Sequence, residues 1–315
     1  MDKPLVITSS PHFRATTTTR IIMTDVLIAL LPTLAAATYI FGFRSLLVSV
    51  FCVTFCICLE FIYQRLMGQK YTYLDMSAAI TGLLLAFNLP ATIPLWMAAI
   101  GCFAAIIIVK QLFGGLGKNF ANPAIVGRIV LLVSFATQMT RWALPRAQQA
   151  LTDSVTGATP LALSGADMIS QRPEYLDMFL GMIGGSLGET CKLTLLLGGA
   201  YLVIRKVISP TAPLAFMGTV FLLTWIFGQD PVYHLLAGGL ILGAIFMATD
   251  YVTTPVTEKG KLIFGIGCGV FTVIIRLWAS YPEGVSFAIL LMNILTPHID
   301  RACSIKAFGG AKADE

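Results

Sequence analysis

The sequence predicts an all-α polytopic membrane protein. About ten transmembrane helices form two inverted five-helix repeats, with a long outer loop between them. Three observations carry this expectation. The 315 residues are 57% hydrophobic and only 12% charged, and the mean hydropathy is +0.82; a soluble domain carries about twice that charge. Apolar segments of bilayer-crossing length recur along the chain. The basic residues are also strongly biased to alternate ends of those segments.

Taken in order, residues 1–20 are polar, with Pro4, Pro11, His12 and Arg14, and contain no apolar signal-peptide core. The first five spans are expected within 21–138, at about 21–41, 46–63, 75–90, 93–109 and 123–138. Residues 139–188 form the long polar loop. The second five spans are expected within 189–300, at about 190–204, 213–227, 233–248, 262–279 and 285–299. A tail of 301–315 follows. Broken or half-spanning helices are expected around Asn88-Leu89-Pro90 and Thr296-Pro297, where a protein-lined break is tolerable.

Fourteen Lys and Arg residues fall on the side of Lys3, Arg65, Lys118, Lys206 and Arg301, and four on the side of Arg44 and Arg141. The positive-inside rule then makes both termini cytoplasmic and the 139–188 loop external. A net charge of +5 suits loops facing anionic lipid. The basic residues are dispersed, so nothing points to nucleic acid.

A weak internal match supports the repeat. Gly117-Lys118-Asn119-Phe120-Ala121 resembles Gly284-Val285-Ser286-Phe287-Ala288, 167 residues later. Five spans per half give the halves opposite topology, and such folds place their site near the midplane, between the repeats.

Chemistry-bearing residues are few. Seven cysteines include no C-x-x-C pair; Cys52 and Cys56 share a helix face, as a metal site or as small apolar packing residues. His12, His234 and His298 show no ligand spacing. Asp25, Glu60 and Asp250 lie in or beside spans toward the cytoplasm. They are candidates for a cation or proton pathway, the alternative being capping and pairing with Arg128, Lys110 or Arg276. Asp75 reads as a cap. Glu189 and Lys192, three apart, are candidates to pair. Gly265-Ile266-Gly267-Cys268-Gly269 follows no strand and reads as helix packing. Asn119 and Asn122 have amides suited to the edge of a flat heterocycle, and Phe120 could stack on one. The structural alternative is an N-cap at Asn122 before Pro123. Gly184–Thr190, with Gly185 and Ser186, permits close backbone approach to an anion or tight helix packing.

The most specific segment is Asp153-Ser154-Val155-Thr156-Gly157-Ala158-Thr159 in the outer loop. It resembles the motif Asp-x-x-Ser/Thr-Gly-Ala-Thr, on which a flavin transferase attaches FMN to the last threonine, here Thr159, by a phosphoester. With Met23–Leu30, Gly117–Ala124, Gly184–Thr190 and Met247–Pro255, the chain resembles the family of the Rnf complex D subunit, and more distantly the B subunit of the Na⁺-translocating NADH:quinone reductase. The short segment before the first span favours the former.

The resemblance implies a membrane subunit of an ion-translocating ferredoxin:NAD⁺ oxidoreductase coupled to Na⁺ or H⁺ movement. It implies FMN on Thr159, recognised through Asp153, Thr156, Gly157 and Ala158, and non-covalent riboflavin around Asn119, Phe120 and Asn122. Gly185 and Ser186 could receive part of the tethered FMN. The implied partners are an FMN-bearing subunit at the outer face, the membrane iron–sulfur subunits and the flavin transferase. Without the flavin motif, inverted five-helix repeats of urea-transporter-like form would suit a channel or secondary transporter for a small solute.

Overall fold

A computed structural model describes residues 18–69, 71–146, 156–157, 161, 173–279 and 283–304. Helix α1 (Thr19–Phe41) starts where the Thr18 hydroxyl accepts the Ile21 N–H at 3.4 Å. Gly42 alone separates it from α2 (Phe43–Leu66). Its φ of +89° belongs to glycine, and an added Cβ would strike the Arg146 guanidinium.

Then come α3 (Ser77–Phe87) and α4 (Leu95–Phe103), whose last turns widen to a π-helix over Ala104–Gln111. Helix α5 (Pro123–Ser134) and the short α6 (Ala136–Met139) complete the first half. Strand β1 (Trp142–Ala143) pairs antiparallel with β2 (Thr156–Gly157), with Trp142 opposite Gly157 and Ala143 opposite Thr156.

Helix α7 (Tyr175–Leu180) leads into the glycine-rich 184–190 segment and α8 (Lys192–Ile204). Next are α9 (Thr211–Ile226), α10 (Pro231–Leu236) and α11 (Leu240–Leu242), which continues as a π-helix over Gly243–Met247. Helices α12 (Glu258–Trp278) and α13 (Val285–Ala302) end the described chain.

Helix occurs in every segment expected to be a span. Among the described residues, α1, α2 and α12 are long and apolar enough to cross a membrane, and shorter apolar helices accompany them. Large apolar side chains such as Leu31, Tyr39, Phe43, Leu214, Trp225 and Ile226 face outward. In a soluble protein that surface would aggregate; around apolar helices it is a lipid-facing belt. This is a multi-pass membrane protein.

Close packing depends on small residues. A Cβ on Gly265 would come within 2.6 Å of the Ala212 carbonyl, and one on Gly269 within 2.5 Å of Thr219 Cβ. Gly265 and Gly269 therefore let α12 lie against α9, and Gly267 faces Met292 of α13, so the run serves helix packing as the sequence suggests. Cys52 and Cys56 are fully buried with Cys102 at the α2–α4 contact. No metal-binding group of His, Cys, Asp or Glu occurs among the described residues.

Two expectations about breaks fare differently. Helix α3 stops at Phe87, and Asn88-Leu89-Pro90 form the expected break. Helix α13, however, continues through Pro297 to Ala302. Proline removes a single backbone donor, and the helix absorbs this five residues from its end. The second break lies instead at Ala237-Gly238-Gly239, between α10 and α11, where Gly238 adopts φ +66°.

Candidate functional site

The end of the bundle that carries most basic residues holds a narrow cleft that opens at its mouth. Lys110, in the last turn of the π segment, enters its wall beside Ser77 of α3. The loop before α5 adds Asn119 and Asn122, and the turn after α11 adds Thr249, Asp250 and Tyr251. Met23, Leu84 and Phe246 are among its apolar lining. Both sequence halves thus build one mostly apolar cleft with a few polar groups, the usual form of a cofactor site.

The two asparagines have different roles. Asn122 Oδ1 accepts the N–H groups of Ala124 at 3.0 Å and Ile125 at 3.4 Å, so it caps α5. Its Nδ2 donates to the Met247 carbonyl at 3.4 Å, tying α5 to the second half. Asn119 Oδ1 is buried and has no hydrogen-bond partner. A buried unpaired amide oxygen is costly, and this one belongs to a residue of the cleft wall. Phe120 is 42% exposed and packs at 4.8 Å on Phe113, outside the cleft lining.

The three acidic candidates separate in the same way. Asp25 on α1 accepts from Tyr201 Oη at 3.0 Å and pairs with Arg205 at 3.1 Å, both contributed from or just after α8. Glu60 is fully buried and pairs with Lys110 at 2.8 Å. Its other oxygen accepts from Gln64, Thr72 and Gln111 at 3.0–3.2 Å. Asp250 lines both the cleft and a neighbouring cavity of about 640 Å³. Thr253 Oγ1 donates to it at 3.2 Å. Asp250 lies beyond the helix end, and desolvation pushes its carboxyl above the usual carboxylate range.

Sequence reasoning named Lys110 only as a basic residue and potential pairing partner. Its position directly after the apolar run Ile106–Val109 was the available signal for burial.

At the C-terminal end of α3, the 184–190 glycine segment docks onto the break. The Gly188 N–H donates to the Phe87 carbonyl at 2.9 Å, and that of Leu187 to Leu89 at 3.0 Å. A Cβ on Gly188 would collide with the Phe87 side chain, so the glycine serves tight packing here. The helix itself begins only at Lys192. Lys192 Nζ donates to the Glu189 main-chain carbonyl, not to its carboxylate. Glu189 Oε1 instead accepts the Ser186 N–H at 3.1 Å. Ser186 Oγ, Thr190 Oγ1 and Glu189 Oε2 are buried without partners. Gly185 sits beside this carboxylate, and its Cβ would approach Glu189 Oε1 to 3.0 Å.

Of the flavin motif, Thr156 and Gly157 are seen only as the backbone of β2. Asp153, Ala158 and Thr159 lie outside the described residues.

Residues 6–309 match the family described as NQR2, RnfD, RnfE. Three relatives are D subunits of ion-translocating complexes. The chain is 47% identical over 311 residues to that of the Na(+)-translocating ferredoxin:NAD(+) oxidoreductase complex of Acetobacterium woodii, covering 98% of this chain and 96% of the relative. It is 43% identical over 318 residues to that of the proton-translocating ferredoxin:NAD(+) oxidoreductase complex of Clostridium ljungdahlii, covering 96% of each. It is 41% identical over 323 residues to that of the ion-translocating oxidoreductase complex of Stutzerimonas stutzeri, covering 91% of each. Similarity sustained over nearly the whole length of chain and relatives has one consequence: the chain belongs to the NQR2, RnfD, RnfE family.

Proposed function

We propose that this chain is the D subunit of an ion-translocating ferredoxin:NAD⁺ oxidoreductase complex of Rnf type, carrying electrons in a process coupled to Na⁺ or H⁺ movement. The near-full-length similarity to relatives bearing that name is the observation that carries the reading. It favours an electron-carrying subunit over the small-solute channel.

In this reading the protein crosses a bacterial cytoplasmic membrane ten times, as two inverted repeats with both termini inside. The 167-residue offset supports the repeat, because it lays α4 over α12 and α5 over α13. FMN is attached to Thr159 in the outer loop by a flavin transferase, and riboflavin occupies the cleft at the basic end. The partners are the outer FMN-bearing subunit and the membrane iron–sulfur subunits.

The residues of the cleft fit a flavin. The unpartnered Asn119 Oδ1 can accept from an N–H at the edge of the ring system, the apolar lining can cover the ring faces, and Lys110 supplies a cation. When bound, flavins supply the electron-transfer chemistry, and the protein contributes position and electrostatics. Asn122 shapes the cleft through its cap. Asp25, Glu60 and Asp250 lie toward the same end, where they would form the cation-uptake side of the protein.

The direct test is in-gel flavin fluorescence after denaturing electrophoresis. Wild type and Thr159→Ala are each co-expressed with a flavin transferase. A fluorescent wild-type band that is dark in the variant is expected. A dark wild-type band, with the transferase active on a control substrate, would remove the covalent flavin from the proposal.

A further inference from the structure

We propose that Lys110 is a shared counter-charge, neutralising the buried Glu60 while facing the cleft, where it favours the reduced, negatively charged form of a bound flavin. The inference rests on the cleft being the riboflavin site.

Lys110 Nζ is held by Glu60 Oε2 at 2.8 Å and Ser77 Oγ at 2.7 Å. Its side chain is 1% exposed. Lys110 and Ser77 also line the cleft alongside Asn119. Glu60 Oε1 meets only neutral donors, from Gln64, Thr72 and Gln111. Among the described residues, therefore, the one cation paired with Glu60 is also the one cation in the cleft lining, and the carboxylate of that lining is Asp250.

Charges a few ångströms apart in a site of low dielectric interact far more strongly than in water. Negative charge gained by a ligand in the cleft would thus be stabilised by Lys110, and the attraction of Lys110 for Glu60 would weaken in return. The π-helical turns of Ala104–Gln111 place Lys110 there, and such turns concentrate at functional sites. The competing explanation is that Lys110 only balances Glu60.

The full-length chain carrying Thr159→Ala, which removes the covalent FMN signal, is purified in detergent with riboflavin. The midpoint potential of that flavin is then read by spectroelectrochemical titration. Three chains are compared: the starting chain, Glu60→Gln, and Glu60→Gln with Lys110→Met. Glu60→Gln leaves the Lys110 charge without its partner, the double variant removes both charges, and gel filtration establishes that each chain is monodisperse.

Glu60→Gln frees the Lys110 charge and raises the midpoint. Adding Lys110→Met lowers it again by at least a tenfold change in relative affinity for the reduced form, about 30 mV for a two-electron couple. Lys110→Arg in the Glu60→Gln background keeps the raised value. Equal midpoints for Glu60→Gln with and without Lys110→Met overturn the inference and leave the riboflavin assignment intact. A starting chain that binds no riboflavin overturns the cleft assignment, and this inference with it.

Discussion

Arg128 Nη1 donates to Asn88 Oδ1 at 2.7 Å, linking α5 to the residue where α3 breaks. The same guanidinium donates to Ser286 at 3.2 Å and pairs with Glu283 just before α13. One buried cation thus joins the α3 break to the start of the last helix. Arg128→Met strands Glu283 and Asn88 together, and breaking a buried pair costs about 3–5 kcal/mol. A large fall in melting temperature is expected for the detergent-purified chain. Arg128→Lys should rescue little of it, because an ammonium lacks the planar fork of donors. A melting temperature equal to wild type for Arg128→Met would refute the structural role.

The α1–α8 contact depends on Gly198. A Cβ there would press into the Ala29 backbone carbonyl, which cannot swing aside as a side chain can. Gly198→Val is expected to destabilise by about 1–3 kcal/mol through overpacking. Gly218 on α9 has nothing within 4 Å of such a Cβ, so Gly218→Ala should be neutral or stabilising by up to about 1 kcal/mol. Thermal unfolding followed by intrinsic fluorescence compares the two, and equal effects would contradict the packing described.

The asparagines of the cleft offer a division of labour. Asn119→Leu should lose most of the non-covalent flavin with little change in stability. Asn122→Ala should cost about 1 kcal/mol by loss of the α5 cap, and affect flavin less. Extracted flavin per chain and the melting temperature, measured on the same preparations, separate the roles. The reverse pattern would move the cofactor contact to Asn122.

Asp25 and Arg205 form a pair whose guanidinium is half exposed, with a side-chain exposure of 51%. Solvent screens such a pair. A double-mutant cycle with Asp25→Asn and Arg205→Gln should give a coupling no greater than about 1 kcal/mol. A larger coupling would mean that the pair is shielded in the membrane-embedded protein.

Much of this architecture was legible in the sequence, for identifiable reasons. Hydropathy alone placed helix at each expected segment, because a lipid-facing surface forces long apolar runs. Asn88-Leu89-Pro90 marked a break through proline stereochemistry, and Asn122-Pro123 marked a helix start. Thr296-Pro297 carried a similar signal, but a helix tolerates the loss of one hydrogen bond near its end. The break at Gly238 was hidden within a glycine-rich apolar run. Glu60 stood out as a carboxylate in a span, yet its partner Lys110 lies 50 residues away, and no local pattern encodes that contact. The same holds for Asn119 and Asn122: their spacing suggested a common task, and only tertiary packing gives one to the cap and leaves the other unpaired.

The short helices also constrain how the protein is made. Helix α3 has eleven residues, all buried, and α5 has twelve with Arg128 among them. Neither segment can partition into lipid as an independent unit during synthesis. Ser286, which receives Arg128, is translated 158 residues later. The insertion machinery must therefore shelter the first half of the chain until the second emerges, and the long α1–α2 hairpin is the part able to anchor the nascent chain meanwhile.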